Sequence, residues 1–147
     1  MTQKPKILLA IRSLSGRGGE RSVLTLAQGF YEIGCEVHIL CFHSSQDYDL
    51  NPHFTYHLID INQWYRKLFI TSSLRYKYTA KLFDQYVSKH IGQPDLILSN
   101  LIQSNRILSY SKLNNIAYVI RNTFSKENEN ALKKNPEKVL KRYREVY

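Results

Sequence analysis

The chain contains no apolar run of about eighteen residues, the length that a membrane-crossing helix requires. Its amino-terminal stretch MTQKPKILLAI has too short an apolar run, with no small-residue cleavage site behind it, for a secretory leader. A cytosolic protein is expected. Cysteine is scarce: the two present, Cys35 and Cys41, bracket CEVHILC, and six residues of strand span about 20 Å, beyond disulfide reach. Both are expected as buried thiols. The five histidines, His38, His43, His53, His57 and His90, form no HExxH pattern and no Cys/His pair at ligand spacing, so no metal is expected and they read as strand or surface side chains. The phosphate-binding pattern ending in Gly-Lys-Ser/Thr is missing, which argues against a nucleoside triphosphatase. G-x-G-x-x-G is missing too: counted from Gly16, the sixth position is Arg21, and FHSS after the second strand lacks the acidic residue that a dinucleotide ribose needs. Hydride transfer is not expected.

What is present suits one α/β domain. The 147 residues are 43% hydrophobic, enough for a single core. KILLAI (6–11) is a continuous apolar run, as a strand buried on both faces requires. Val23, Leu26, Ala27 and Phe30 then recur at helical spacing, and Gly34 is placed to end that helix. EVHILCF (36–42) and FTYHLIDI (54–61) read as further strands. The long segment 63–91 divides near residue 72, where Ser72 or Ser73 can cap a helix with Leu74, Tyr78, Leu82 and Tyr86 as its apolar stripe; Gly92 and Pro94 stop it. DLILSN (95–100) is a fourth strand, 102–113 a short helix with Ile107, Leu108 and Leu113 inward, and IAYVIRN (116–122) a fifth strand. The order βαββαβαβα predicts a Rossmann-like doubly wound parallel sheet with strand order 3-2-1-4-5.

The net charge of +9 is uneven. Residues 63–91 carry Arg66, Lys67, Arg75, Lys77, Lys81 and Lys89 against Asp84 alone, interleaved with aromatics. Such a segment suits an anionic surface, either a membrane or, as the alternative, nucleic acid; a plainly solvated helix face is the third possibility. The mixed charges of 126–147 read as an ordinary helix surface.

Gly16, Gly18 and Gly19, three of the chain's six glycines, lie in four positions just after the first strand. In a doubly wound sheet ligands bind at the carboxyl ends of the strands, where connections diverge to opposite faces. Glycine there lets a ligand approach the main chain, and the helix that follows offers free N–H groups to a phosphate or a sugar hydroxyl. A tight strand-to-helix turn is the simpler reading, although three glycines exceed what a turn needs.

The stretch KILLAIRSLSGRGGERSVLTLAQGFYEIGCEVHILCF resembles the opening of family 4 glycosyltransferases of the GT-B fold, in which a strand leads to GG-E-R, a helix, a glycine and an EVH strand. The likeness is specific over 6–42 and extends more weakly through PDLILSN and YVIRNTFS to about residue 125. It implies the acceptor-side, amino-terminal domain (1–125) of an enzyme that moves a sugar from a nucleotide-sugar to a surface glycan or lipopolysaccharide, with 126–147 as a charged helical tail leading towards an interdomain region. It further implies a glycan or lipid-linked acceptor at the cytoplasmic face of the inner membrane, no cofactor and no metal. By position, Ser15, Gly16, Arg17, Gly18, Gly19, Glu20, Asn100 and Asn122 would line the acceptor and phosphate cleft, and Arg66, Lys67, Arg75, Lys77 and Lys81 would meet the membrane. Two departures stand out. Arg121 occupies the place of the histidine that many members carry after the fifth strand, where it can contact an anion or simply form a solvated or paired strand end. The carboxyl-terminal domain that binds the nucleotide-sugar donor has no counterpart in these residues, so the chain alone is expected to be inactive.

Overall fold

The computed structural model describes residues 3–15, 18–61, 71–120 and 133–144. KILLAI forms β1 (Lys6–Ile11), with Ile7 to Ile11 all buried. Helix α1 (Gly18–Glu32) follows, and Gly34, at φ +91°, ends it with Gly34 N–H donating to Tyr31 O at 2.9 Å. A left-handed residue at that point favours glycine, which has no Cβ to clash with the carbonyl. The chain continues through β2 (Glu36–Cys41), β3 (Thr55–Leu58), α2 (Ser72–His90), β4 (Leu96–Asn100), α3 (Leu101–Leu108), β5 (Ile116–Val119) and α4 (Pro136–Arg144). The five strands are all parallel in the order β3-β2-β1-β4-β5, a Rossmann-like doubly wound sheet with the expected topology.

Alternation along the central strands sends side chains to two separate cores. Ile7, Leu9, Ile11, Val37 and Ile39 face α1, meeting Val23 and Ala27. Leu8, Ala10, Leu40, Phe42 and Ile97 face α2 and α3, meeting Ala80, Phe83, Val87, Ile107 and Leu108. Central strands buried on both sides are therefore apolar without interruption. The edge strands β3 and β5 have only four residues each and are largely exposed or half-buried.

Three expectations need correction. The α2 residues wholly buried in the core are Ala80, Phe83 and Val87, with Tyr76, Leu82 and Tyr86 packed half-buried against it; of the expected stripe, Leu74 is 50% and Tyr78 37% exposed. The expected and the buried stripes are centred about 150° apart on the helix, and the sheet takes the side of Ala80, Phe83 and Val87, which leaves Leu74 and Tyr78 turned outward. The cap of α2 is Thr71, whose hydroxyl accepts from Leu74 N–H at 3.3 Å, instead of Ser72 or Ser73. Helix α3 ends at Leu108, short of residue 113, where Tyr110 and Ser111 N–H groups turn back to Ile107 and Leu108 carbonyls. Asp84 on α2 then takes the Ser111 hydroxyl and the Lys112 N–H, fixing the approach to β5.

Candidate functional site at the strand carboxyl ends

Strand β1 feeds α1 on one face and its neighbour β4 feeds α3 on the other, so the crevice between their carboxyl ends is the topological switch point. Its floor is held from the β2 side. Leu14, 2% exposed, pairs with Gln46 as an isolated parallel bridge, Leu14 N–H donating to Ser45 O at 3.1 Å and Asp47 N–H to Leu14 O at 2.8 Å. Ser13 is buried and its hydroxyl donates to that of Ser15 at 3.2 Å.

The glycines sit differently from expectation. Gly18 and Gly19 form the first turn of α1 instead of a loop, and neither adopts positive φ. Gly18 has open space where a Cβ would stand. Gly19 is a close-approach glycine, because a Cβ there would lie 2.9 Å from Leu101 Cδ2. That contact brings the start of α1 against the start of α3.

Leu101 itself carries φ +70°, a left-handed conformation rare for a bulky side chain. Asn105, one turn on, holds it there. Its carboxamide lies 2.7 Å from Ser99 Oγ, and with the amide nitrogen turned to that side it donates to the Ser99 carbonyl at 3.0 Å and the Leu101 carbonyl at 3.3 Å. Asn100, wholly buried, donates from Nδ2 to Leu98 O at 3.0 Å. On α1 and α3, three side-chain polar atoms are buried without a hydrogen-bond partner: Glu20 Oε2, in a side chain 5% exposed, Ser104 Oγ and Arg106 Nε. Backbone strain and unpaired polar atoms each cost about 1–3 kcal/mol, and both fall on the two helices that approach one another at Gly19 and Leu101.

Electrostatics narrow what such a crevice can take. Glu20 lies in the first turn of α1, where the helix dipole favours a carboxylate. The same charge repels a phosphate but accepts a hydrogen bond from a hydroxyl. Cys41, at the end of β2, is no nucleophile, since burial pushes its thiol up to about 12.

Of the residues expected to act here, Ser15, Gly18, Gly19, Glu20 and Asn100 are on or beside the strand ends of β1 and β4. Gly16, Arg17, Arg121 and Asn122 lie outside the described residues, as do Arg66 and Lys67 of the basic segment. Lys77 and Lys81 are exposed on α2, one turn apart, and Lys77 Nζ stands 5.5 Å from the Tyr110 ring centroid. Arg75 is half-buried and, two residues from Lys77, points to nearly the opposite side of the helix. Leu101, Ser104 and Asn105 were not anticipated; SNLIQSN gives no pattern by which a left-handed leucine shows itself. Among the described residues no group of three or more His, Cys, Asp or Glu could hold a metal ion, and no helix is long and apolar enough to cross a membrane.

Fold and strand ends together define a Rossmann-like α/β chain with a left-handed leucine and buried polar side chains beside its switch point. No protein-family model matches the chain, and no curated protein matches it.

Proposed function

We propose that this chain is the acceptor-side domain of a GT-B glycosyltransferase that transfers a sugar from a nucleotide-sugar to a surface glycan or lipid-linked acceptor, a second, donor-binding domain completing the active site. The observation that supports this reading best is the meeting of the glycine-bearing start of α1 with Leu101 and buried Asn100 and Glu20 at the switch point. A carboxylate on the first turn of α1, following the segment after β1 that carries Ser15, suits an acceptor's hydroxyl groups better than a phosphate, since hydroxyls can donate to Glu20. In such a reaction helix dipoles and basic side chains, rather than a cation, would stabilise the leaving diphosphate.

The exposed face of α2, with Leu74, Lys77, Tyr78 and Lys81 together, supports a companion reading, in which this helix rests on an anionic membrane that carries the acceptor. Each Lys or Arg near such a surface is worth about 1 kcal/mol.

Amide NMR of the whole chain with a panel of mono- and oligosaccharides, nucleotide-sugars and an RNA oligonucleotide tests the assignment. Saccharides should shift Ser15, Gly18, Gly19, Asn100 and Leu101, and nucleotide-sugars should shift them no more than the free sugar does. Shifts produced by RNA alone, on α2, would favour nucleic-acid binding and overturn the glycosyltransferase reading.

A further inference from the structure

A second polar cluster lies on the α2 face of the sheet, running from Glu36 at the start of β2 across to edge strand β3. Glu36 Oε1 is 2.7 Å from His38 Nε2, His38 Nδ1 is 2.9 Å from His57 Nε2, and His57 Nδ1 is 3.2 Å from the Tyr86 hydroxyl. Two strands and a helix are thus joined by one unbroken chain of hydrogen bonds. The imidazoles face each other end to end, their planes 22° apart. Other charged or titratable groups against it are Lys6 on β1, its Nζ 3.9 Å from Glu36 and 2.7 Å from the Ile91 carbonyl, and His90 on α2, whose ring centroid is 4.5 Å from that of Tyr86.

The proton inventory of this chain has few solutions. A carboxylate only accepts, so His38 Nε2 carries a hydrogen. With both imidazoles neutral, His38 Nδ1 then accepts from His57 Nε2–H, and His57 Nδ1 accepts from the Tyr86 hydroxyl. All three contacts are satisfied. One added proton on His38 Nδ1 makes that atom a donor; His57 answers by moving its own hydrogen to Nδ1, which donates to the Tyr86 oxygen. Again all three contacts are satisfied. A second added proton puts N–H against N–H across 2.9 Å and two like charges side by side, so the contact must part.

We propose that Glu36, His38, His57 and Tyr86 form a one-proton latch on edge strand β3: it absorbs one proton by exchanging the tautomer of His57 and opens on the second. Strand β3 depends on it because, of its two residues on the α2 side, Thr55 is exposed and His57 alone reaches the helix. Burial, then His38, then His90 hold the His57 imidazole down to about 4, which reserves opening for markedly acid conditions.

Long-range proton–nitrogen NMR of the imidazoles in the full chain, combined with amide exchange corrected for intrinsic rates, tests the latch. At pH 7.5 His57 should carry its hydrogen on Nε2; on acidification it should pass to Nδ1 while the amides of Thr55–Leu58 stay protected. Further acidification should then cost those amides at least tenfold in protection while Leu8 and Leu9 on β1 keep theirs. In Tyr86→Phe, which removes the acceptor for Nδ1–H, the two steps should merge. An Nδ1–H tautomer at pH 7.5, or simultaneous loss of protection in β1 and β3, would overturn the proposal.

Discussion

Gly19 and Leu101 touch across the switch point so closely that one added carbon on Gly19 would come within 2.9 Å of the leucine's Cδ2. Gly18, next to it, faces open space. The two glycines should therefore respond oppositely to alanine. Gly18→Ala should stabilise the chain by about 0.5–1 kcal/mol, since helical backbone conformation costs glycine more entropy. Gly19→Ala should gain nothing or lose stability, and adding Leu101→Ala should recover the difference. Urea midpoints of the three variants check this. If Gly18 instead faces a ligand, Gly18→Ala weakens saccharide shifts while raising the midpoint.

The knot around Leu101 makes a second pair of contrasting predictions. Asn105→Ala removes the donor that holds the Ser99 and Leu101 carbonyls and should cost about 2–3 kcal/mol, because buried acceptors lose their partners. Ser104→Ala removes a hydroxyl that has no partner and should be neutral or slightly stabilising. Comparable losses in both would show that Ser104 is engaged after all.

Phe83→Ala, at a wholly buried ring, should cost about 3–5 kcal/mol, whereas Tyr78→Ser, at a side chain 37% exposed, should cost less, about 1 kcal/mol. Thermal and urea unfolding compare them directly. This pair also marks what the sequence could and could not disclose. Strand order followed from KILLAI, EVHILC and DLILSN, because only strands covered on both faces need such runs, and from the helices between them. The facing of α2 followed only in part, since Leu82 and Tyr86 do border the core while Leu74 and Tyr78 turn outward, and only contact with the sheet selects Ala80, Phe83 and Val87. At the site, the glycines marked the right place but for a partly different reason: Gly19 answers to a side chain 82 positions away. The His38–His57 pair was invisible for the same cause, because strand register, which sets His38 opposite Thr55 and so diagonal to His57, brings them together rather than spacing along the chain.

Acid should weaken the fold through His57. Its imidazole is held down to about 4 in the folded chain against about 6.5 when unfolded. The unfolded chain therefore binds the extra proton between these values, and the stability that His57 contributes is complete above about pH 6.5 and is lost as pH falls towards 4. Urea midpoints between pH 7.5 and 4 should fall more steeply for the parent than for His57→Gln. Parallel curves would remove His57 as the cause.

Vesicle sedimentation checks the face of α2. Binding to anionic but not neutral vesicles, lowered by salt and by Lys77→Glu with Lys81→Glu, is the expected result. Arg75→Glu should matter less, because Arg75 is half-buried on another side of the helix. Equal binding to both vesicle types would remove membrane docking.

Lys6 opens β1, and its backbone N–H donates to Asp95 Oδ2 at 2.7 Å, 89 residues away. Of the five strands of this sheet, the first in chain order is thus the middle one of the finished sheet. It can take β2 and α1 as they emerge, but its other backbone edge stays unpaired until β4 arrives. Until residue 95 and the strand after it are made, the sheet must carry an open, apolar central edge, which exposes that interval of synthesis to misassociation and to chaperones.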